Sequence, residues 1–248
     1  MRRLGALARF GFAPAAFLGL GLGSASAGLV LTVEAPGRQE TSVAGVTTER
    51  FESFATGWTS SLSTAVGSIT SGNMFVLNAD QYGGAGGTGK YLAVGGGNDP
   101  TTLQFNAAQA YFGFWWSAAD PSNYLEIYSG SALLARFDPT TALEALSYEY
   151  KGNPTAPFEG WNYGEKYAYL NFAGTAGTTF DRVVFMNPNS GSRLELDNFS
   201  IRNAAVDGLP GTVIDGVEAV PEPSSFAMAG VASALALGFA ARRGRKAR

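Results

Sequence analysis

Between Thr47 and Arg202 the chain consists of short apolar runs separated by turn residues. TTERFESF, NMFVLN, KYLAV, TTLQF, AYFGFWWS, NYLEIYS, ALLARF, YAYLNF, FDRVVFM and LELDNFSI follow one another, bounded by Gly, Pro, Asn, Asp or Ser. Runs of about 5 to 8 residues without a sustained 3.6-residue period predict strands joined by tight turns. The 33 glycines, 12% aromatic residues and 15% charged residues suit such a domain better than a helical one. The expected fold is mainly β, an antiparallel β-sandwich of jelly-roll type over residues 47–202. Residues 28–46 read as a lead-in or edge strand. Residues 203–219, with Gly208, Pro210, Gly211 and Gly216, read as a linker.

Alternation along the runs assigns faces, because successive side chains of a strand point to opposite sides. Phe112, Phe114 and Trp116 share one face; Leu125 and Ile127 share another, with Tyr124, Glu126 and Tyr128 opposite. In the last run the apolar parity changes between Leu194 and Leu196 on one side of the change and Phe199 and Ile201 on the other. A β-bulge at Asp197 and Asn198 restores the inward face.

The chain has neither cysteine nor histidine. That excludes disulfides, thiolate metal sites, cysteine nucleophiles and every mechanism that uses imidazole as acid, base or ligand. GAGGTGKY places Gly84, Gly89 and Lys90 as GxxxxGK, but Tyr91 stands where a P-loop needs Ser or Thr, and YLAV reads as a strand. A glycine-rich loop is expected there. Paired carboxylates suffice for a glycosidase. Glu195 and Asp197 begin an ExDxxE pattern, yet Ser200 occupies the place of its third acid.

Charge divides the chain into three zones. Eight of the 17 cations lie in the terminal segments, while all 20 acids lie between Gly28 and Pro223. The exported part is therefore strongly acidic, which disfavours nucleic acid and favours cations.

The first segment, MRRLGALARF, has Arg2, Arg3 and Arg9 ahead of an uncharged run from Phe10 to Gly23 and then Ala25-Ser26-Ala27. This is the pattern of a secretory signal peptide over residues 1–27, with Gly28 the first mature residue. At the other end, residues 224–241 carry no charge and are followed by Arg242, Arg243, Arg245, Lys246 and Arg248. A helix over 224–241 would reach about 27 Å, close to the hydrocarbon thickness of a bilayer. The basic tail over 242–248 holds it with its end in the cytoplasm. Val220-Pro221-Glu222-Pro223 precedes it in an extended form that a protease can read.

A Pro-Glu-Pro signal, an apolar helix and an arginine-rich tail over residues 220–248 resemble the PEP-CTERM sorting signal of Gram-negative bacteria. The resemblance implies an exosortase as processing partner. It also implies an inner-membrane intermediate that passes to the cell surface or the medium, in bacteria that make exopolysaccharide. GKYLAVGGG, YFGFWWSAADPSNYLEIYSG, YAYLNF, FDRVVFMN and LELDNFSI are similar to the Npun_F0296-type exosortase-dependent surface proteins, a family that brings no assigned activity.

The ectodomain has two candidate ligands. Asp197 and Asn198 either form the bulge alone or join Glu52, with Glu49 in reserve, to hold a structural calcium ion through oxygens. Trp115, Trp116, Tyr124, Tyr128, Trp161, Tyr163, Tyr167 and Tyr169 exceed what one small core hides, and sugars stack on such rings. Trp116 is expected in the core. Trp161 and Tyr163, in the polar loop NPTAPFEGWNYGEKY, are expected to be exposed and to bind glycan. The expected role is a noncatalytic component of the envelope or exopolysaccharide matrix. A secreted glycosidase or lyase acting on matrix polysaccharide is the alternative.

Overall fold

A computed structural model of the chain describes residues 28–219 apart from residue 98. The expected signal peptide over 1–27 and the segment from Val220 onward, with its expected helix over 224–241, lie outside the described residues. Among the described residues no helix is long and apolar enough to cross a membrane.

The strands are β1 (Gly28–Val33), β2 (Thr47–Glu49), β3 (Gly57–Ser63), β4 (Gly67–Asn78), β5 (Lys90–Gly95), β6 (Thr101–Gln109) and β7 (Tyr111–Ala119). They continue as β8 (Tyr124–Ser129), β9 (Ala132–Phe137), β10 (Lys166–Thr175), β11 (Phe180–Met186), β12 (Arg193–Arg202), β13 (Thr212–Val213) and β14 (Val217–Ala219). One helix, α1 (Pro139–Ala145), follows β9. It starts on Asp138, whose carboxylate accepts from the Thr140 and Thr141 amides, with Pro139 in the first helical position.

The expected antiparallel β domain is present, but its strands form one continuous sheet that curls on itself. Spatially the sheet runs β13, β1, β10, β7, β12, β5, β4, β6, β11, β8, β9, β14, with β2 added to β12 and β3 to β4. The curl comes from β4. Its first half pairs with β6, Gly67 opposite Phe105, and its second half pairs with β5, Met74 opposite Val94. One strand edge thus serves two layers, and the register on β3 shifts where β4 changes layer.

The two flanks of the curl face each other across the core. Phe185 of β11 meets Phe114 of β7 edge-on at 5.8 Å and stacks on Phe199 of β12 at 5.6 Å. Phe137 of β9 meets Trp116 edge-on at 5.3 Å. Phe112, Phe114, Trp116, Leu125 and Ile127 all point into this core, as their alternation predicts.

The bulge also stands where the parity change requires it. On β7, Asp197 pairs with Trp115 and Ser200 with Gly113, so β12 spends three steps where its partner spends two. Asn198 adopts φ 49°, a left-handed conformation that Asn tolerates better than most residues. Leu194, Leu196, Phe199 and Ile201 consequently all enter the core.

A second apolar layer covers the outer face of β7 and β10. Trp115, Ala118, Tyr167 and Tyr169 are buried there beneath the loop that carries Ala85. The phenols find partners on this face: Tyr167 donates to the Gln81 carbonyl and Tyr169 to that of Asn198. Three of the rings that looked surplus to one core are therefore consumed by a second.

The boundaries also shift from those read in the sequence. Residues 28–33 pair with β10, so the sheet begins at Gly28. Within 203–219, Thr212–Val213 pairs with β1 and Val217–Ala219 with β9, so this segment is partly bound to the sheet.

Candidate functional site

The loop between α1 and β10 presents a group of exposed aromatics, while Trp58 and Tyr82 are exposed elsewhere. Trp161 and Tyr163 are 55% and 48% exposed, in line with the sequence reading, and Tyr148 joins them at 67%. Tyr148 and Tyr163 meet edge-on at 5.7 Å, and Phe158 backs Trp161 at 5.9 Å. The loop is tied from within. Asn153 donates its amide N–H to the Trp161 carbonyl, the Gly160 amide donates to the Asn153 carbonyl, and the Gly152 amide donates to Glu165. The Asn153 side chain anchors it below by donating to the Gln81 carbonyl. These rings are held in place, which lowers the entropy cost of stacking a ligand on them. A cleft of about 360 Å³ beside Tyr163 offers Glu149, Lys151 and Glu159 as polar partners.

Tyr148 was not singled out in the sequence. Its only signal is its place just after α1 in the polar stretch SYEYKG.

A larger groove, about 690 Å³, runs over the outer face of β4, β5 and β12. Asp80, Asp120, Glu165 and Glu195 line it together with Tyr82 and Phe75. Glu195 faces outward because Leu194 and Leu196 face inward. It is only 7% exposed. Burial, and then the neighbouring Glu165 carboxylate, push its carboxyl up to about 8. Burial likewise raises Glu165 above the usual range. Asp80 is occupied: it accepts from the Tyr82 and Gly83 amides and from the Tyr91 hydroxyl.

The candidate calcium residues come together in part. Asp197 is 3% exposed and lies under the glycine-rich loop, accepting from the Ala85 amide at 2.8 Å and the Asn198 amide at 2.7 Å. Burial dominates its environment and holds its carboxyl up to about 8, and the Glu52 carboxylate acts in the same direction. Glu52 itself accepts from the Lys90 amide. The Asn198 side chain donates to the Gln39 carbonyl. Glu49 is committed elsewhere, accepting from the Phe51 and Ala65 amides. Among the described residues no three acidic groups stand close enough to hold a metal ion. A calcium ion here would need the amide and carbonyl oxygens of Gln39 and Asn198 beside Glu52 and Asp197.

The GAGGTGKY stretch is the expected glycine-rich loop. It makes a tight turn over Ala85–Gly87, with Gly86 at φ 77°, and enters β5 at Lys90. Lys90 donates to the Glu52 and Phe54 carbonyls, so its ammonium closes a loop. A Cβ at Gly87 would lie 2.2 Å from the Ala156 carbonyl oxygen, and one at Gly89 would lie 2.0 Å from Glu52 Oε1. Both glycines also have φ near 70°. Close packing of the outer layer explains them without a phosphate.

Comparison with known proteins gives one match in sequence. A family described as "PEP-CTERM protein-sorting motif" matches residues 219–246, so the chain carries that sorting motif. No curated protein matches the chain. Among solved structures, the chain is similar to the K2 cleaved adhesin domain of Lys-gingipain, at 14% identity and TM-score 0.41, over 65% of this chain and 100% of that one. It is similar to a β-1,3-glucan binding CBM6 from Bacillus halodurans, at 13% identity and TM-score 0.31, over 54% of this chain and 88% of that one. A catalytic domain of GH87 α-1,3-glucanase in complex with nigerose matches at 10% identity and TM-score 0.35, over 69% of this chain and 30% of that one. At these scores the likenesses do not bear on what this chain does.

Proposed function

We propose that this is an exported surface protein of a Gram-negative bacterium, processed by an exosortase and delivered from the inner membrane to the cell surface or the exopolysaccharide matrix. The observation that carries this reading is the sorting motif over 219–246. Val220, Pro221, Glu222 and Pro223 are the processing signal. The helix over 224–241 is a temporary membrane anchor, and Arg242, Arg243, Arg245, Lys246 and Arg248 stop transfer. The ectodomain resembles the Npun_F0296-type exosortase-dependent surface proteins, with its curled sheet a variant of the jelly-roll sandwich.

The ectodomain acts by binding. Trp161 and Tyr163, with Tyr148 beside them, form the glycan platform, supported by their exposure and by the internal hydrogen bonds of their loop. Retention of the full chain on the exopolysaccharide of its own host tests this. Trp161→Ala with Tyr163→Ala should lower retention about tenfold or more, the effect expected of losing two stacked rings. Unchanged retention would sink the platform.

Calcium bound by Glu52, Asp197 and Asn198 is a structural part of the same reading, supported by the Glu52 carboxylate acting electrostatically on Asp197. The melting temperature should rise with added calcium and fall back with chelator, because an ion bound only by the folded state stabilises it. Indifference to both would remove calcium from the account.

A glycosidase or lyase acting on matrix polysaccharide is the second reading, favoured by the buried Glu195 in its acidic groove. Hydrolysis by a carboxylate pair requires a second free acid at a fixed separation. Asp80 already accepts three hydrogen bonds and Glu165 accepts one from Asn162, which supports binding over turnover. New reducing ends in host polysaccharide, lost in Glu195→Gln, would reverse that preference.

A further inference from the structure

The 690 Å³ groove is an unusual place for a carboxylate such as Glu195. Its side chain is more than nine-tenths buried and lines the groove, and its carboxylate has no hydrogen-bonding partner in another residue among those described. A carboxyl so placed is costly to ionise, and a charge-assisted donor entering the groove favours its ionised form. No neighbouring residue among those described hydrogen-bonds its carboxyl. Asp80, Asp120 and Glu165 add negative charge, and Tyr91 and Tyr167 are neutral phenols. Arg193, on the same face of β12, lies over the Phe75 ring with its guanidinium carbon 4.7 Å from the ring centre.

These features narrow the chemistry of an occupant. No three of the groove's acids gather closely enough to hold a divalent ion by carboxylates. Four acids against one cation, Arg193, line the groove, which disfavours an anionic polymer. A cationic nitrogen fits, since it would give Glu195 its missing donor at short range. The rest of the wall suits a polyhydroxylated ring: Tyr82 is partly exposed, and Asn73 and Ser192 bring amide and hydroxyl groups to the same groove.

We propose that this groove binds a sugar chain bearing free amino groups, with one ammonium seated on Glu195 and the flanking sugar against Tyr82. The site does not rest on the loop platform, because Trp161 and Tyr163 are not among the groove's lining residues. The two sites therefore succeed or fail separately.

The test is calorimetric titration of the full chain, in detergent micelles at low salt and pH 6, where seating an ammonium draws the proton off Glu195, with three probes: a glucosamine hexamer, its fully N-acetylated counterpart and a lysine hexamer. The glucosamine hexamer should bind, and the acetylated hexamer should bind about tenfold more weakly or worse, because acetylation removes the charge but keeps the ring. Glu195→Gln should weaken the glucosamine hexamer by a similar factor. It replaces a side chain that has no hydrogen bond to lose, and a thermal melt verifies its fold. Asp120→Asn, at the rim, should give a smaller loss of about threefold. Equal binding of the acetylated hexamer, or no effect of Glu195→Gln, would overturn the proposal. Equally tight binding of the lysine hexamer would overturn the assignment to sugar.

Discussion

Glu195 and Asp197 stand two residues apart on the outer face of β12, and burial pushes both carboxyls up to about 8, yet the two are held differently. Asp197 accepts two backbone amides, whereas Glu195 accepts nothing from another residue. A carboxyl whose folded pKa is raised keeps its proton while the unfolded chain, titrating at about 4, loses it. The folded state then binds more protons between about pH 4 and pH 8, and stability falls as pH rises through that window. In the presence of chelator the melting temperature should therefore drop from pH 5 to pH 8. Glu195→Gln should match wild type at pH 5 and exceed it at pH 8. Asp197→Asn should be destabilising already at pH 5, by about 1–3 kcal/mol, because the amide nitrogen cannot accept from a backbone N–H. Melts followed by circular dichroism at both pH values check this; a flat profile for wild type would contradict it.

At the scale of elements, the bulge and the core face were legible in the sequence because both are local. A change of parity between Leu196 and Phe199 demands one extra residue, whatever the neighbouring strands are. Deleting Asn198 should therefore turn Phe199 and Ile201 outward and prevent folding, read as loss of the near-ultraviolet dichroism of the buried rings. Phe114 touches the rings of Phe112, Phe172, Phe185 and Phe199, so Phe114→Ala should cost about 3–5 kcal/mol in a denaturant titration. Trp161→Ala, at an exposed ring, should stay within about 0.5 kcal/mol. What the sequence did not reveal depends on distant pairings. The use of one edge of β4 by both β5 and β6 leaves no trace in the run NMFVLN. The second aromatic layer appears only when the Ala85 loop folds over Trp115 and Tyr167. The groove has the same origin, since its acids come from segments as far apart as Asp80 and Glu195. Glu195 was visible as half of a broken ExDxxE pattern; its burial was not.

For the whole molecule, the sheet and the sorting motif meet without an intervening spacer. β14 ends at Ala219, paired with Ala135 of β9, and the motif spans 219–246. The proposed processing signal at Val220–Pro223 therefore follows the last described strand directly in sequence. A product cut beyond β14 would keep that strand on β9 and carry the acidic domain away without its basic tail. The central claim is that the C-terminal segment is an address removed during delivery. Intact mass and cell fraction of the protein from its native host test this most directly, beside a variant in which Pro221, Glu222 and Pro223 are alanine. The account predicts a wild-type product lacking Arg242 to Arg248 on the surface or in the medium, and a variant retained whole in the inner membrane. A wild-type protein that keeps its tail in the inner membrane would contradict it and make the C-terminal segment a permanent anchor.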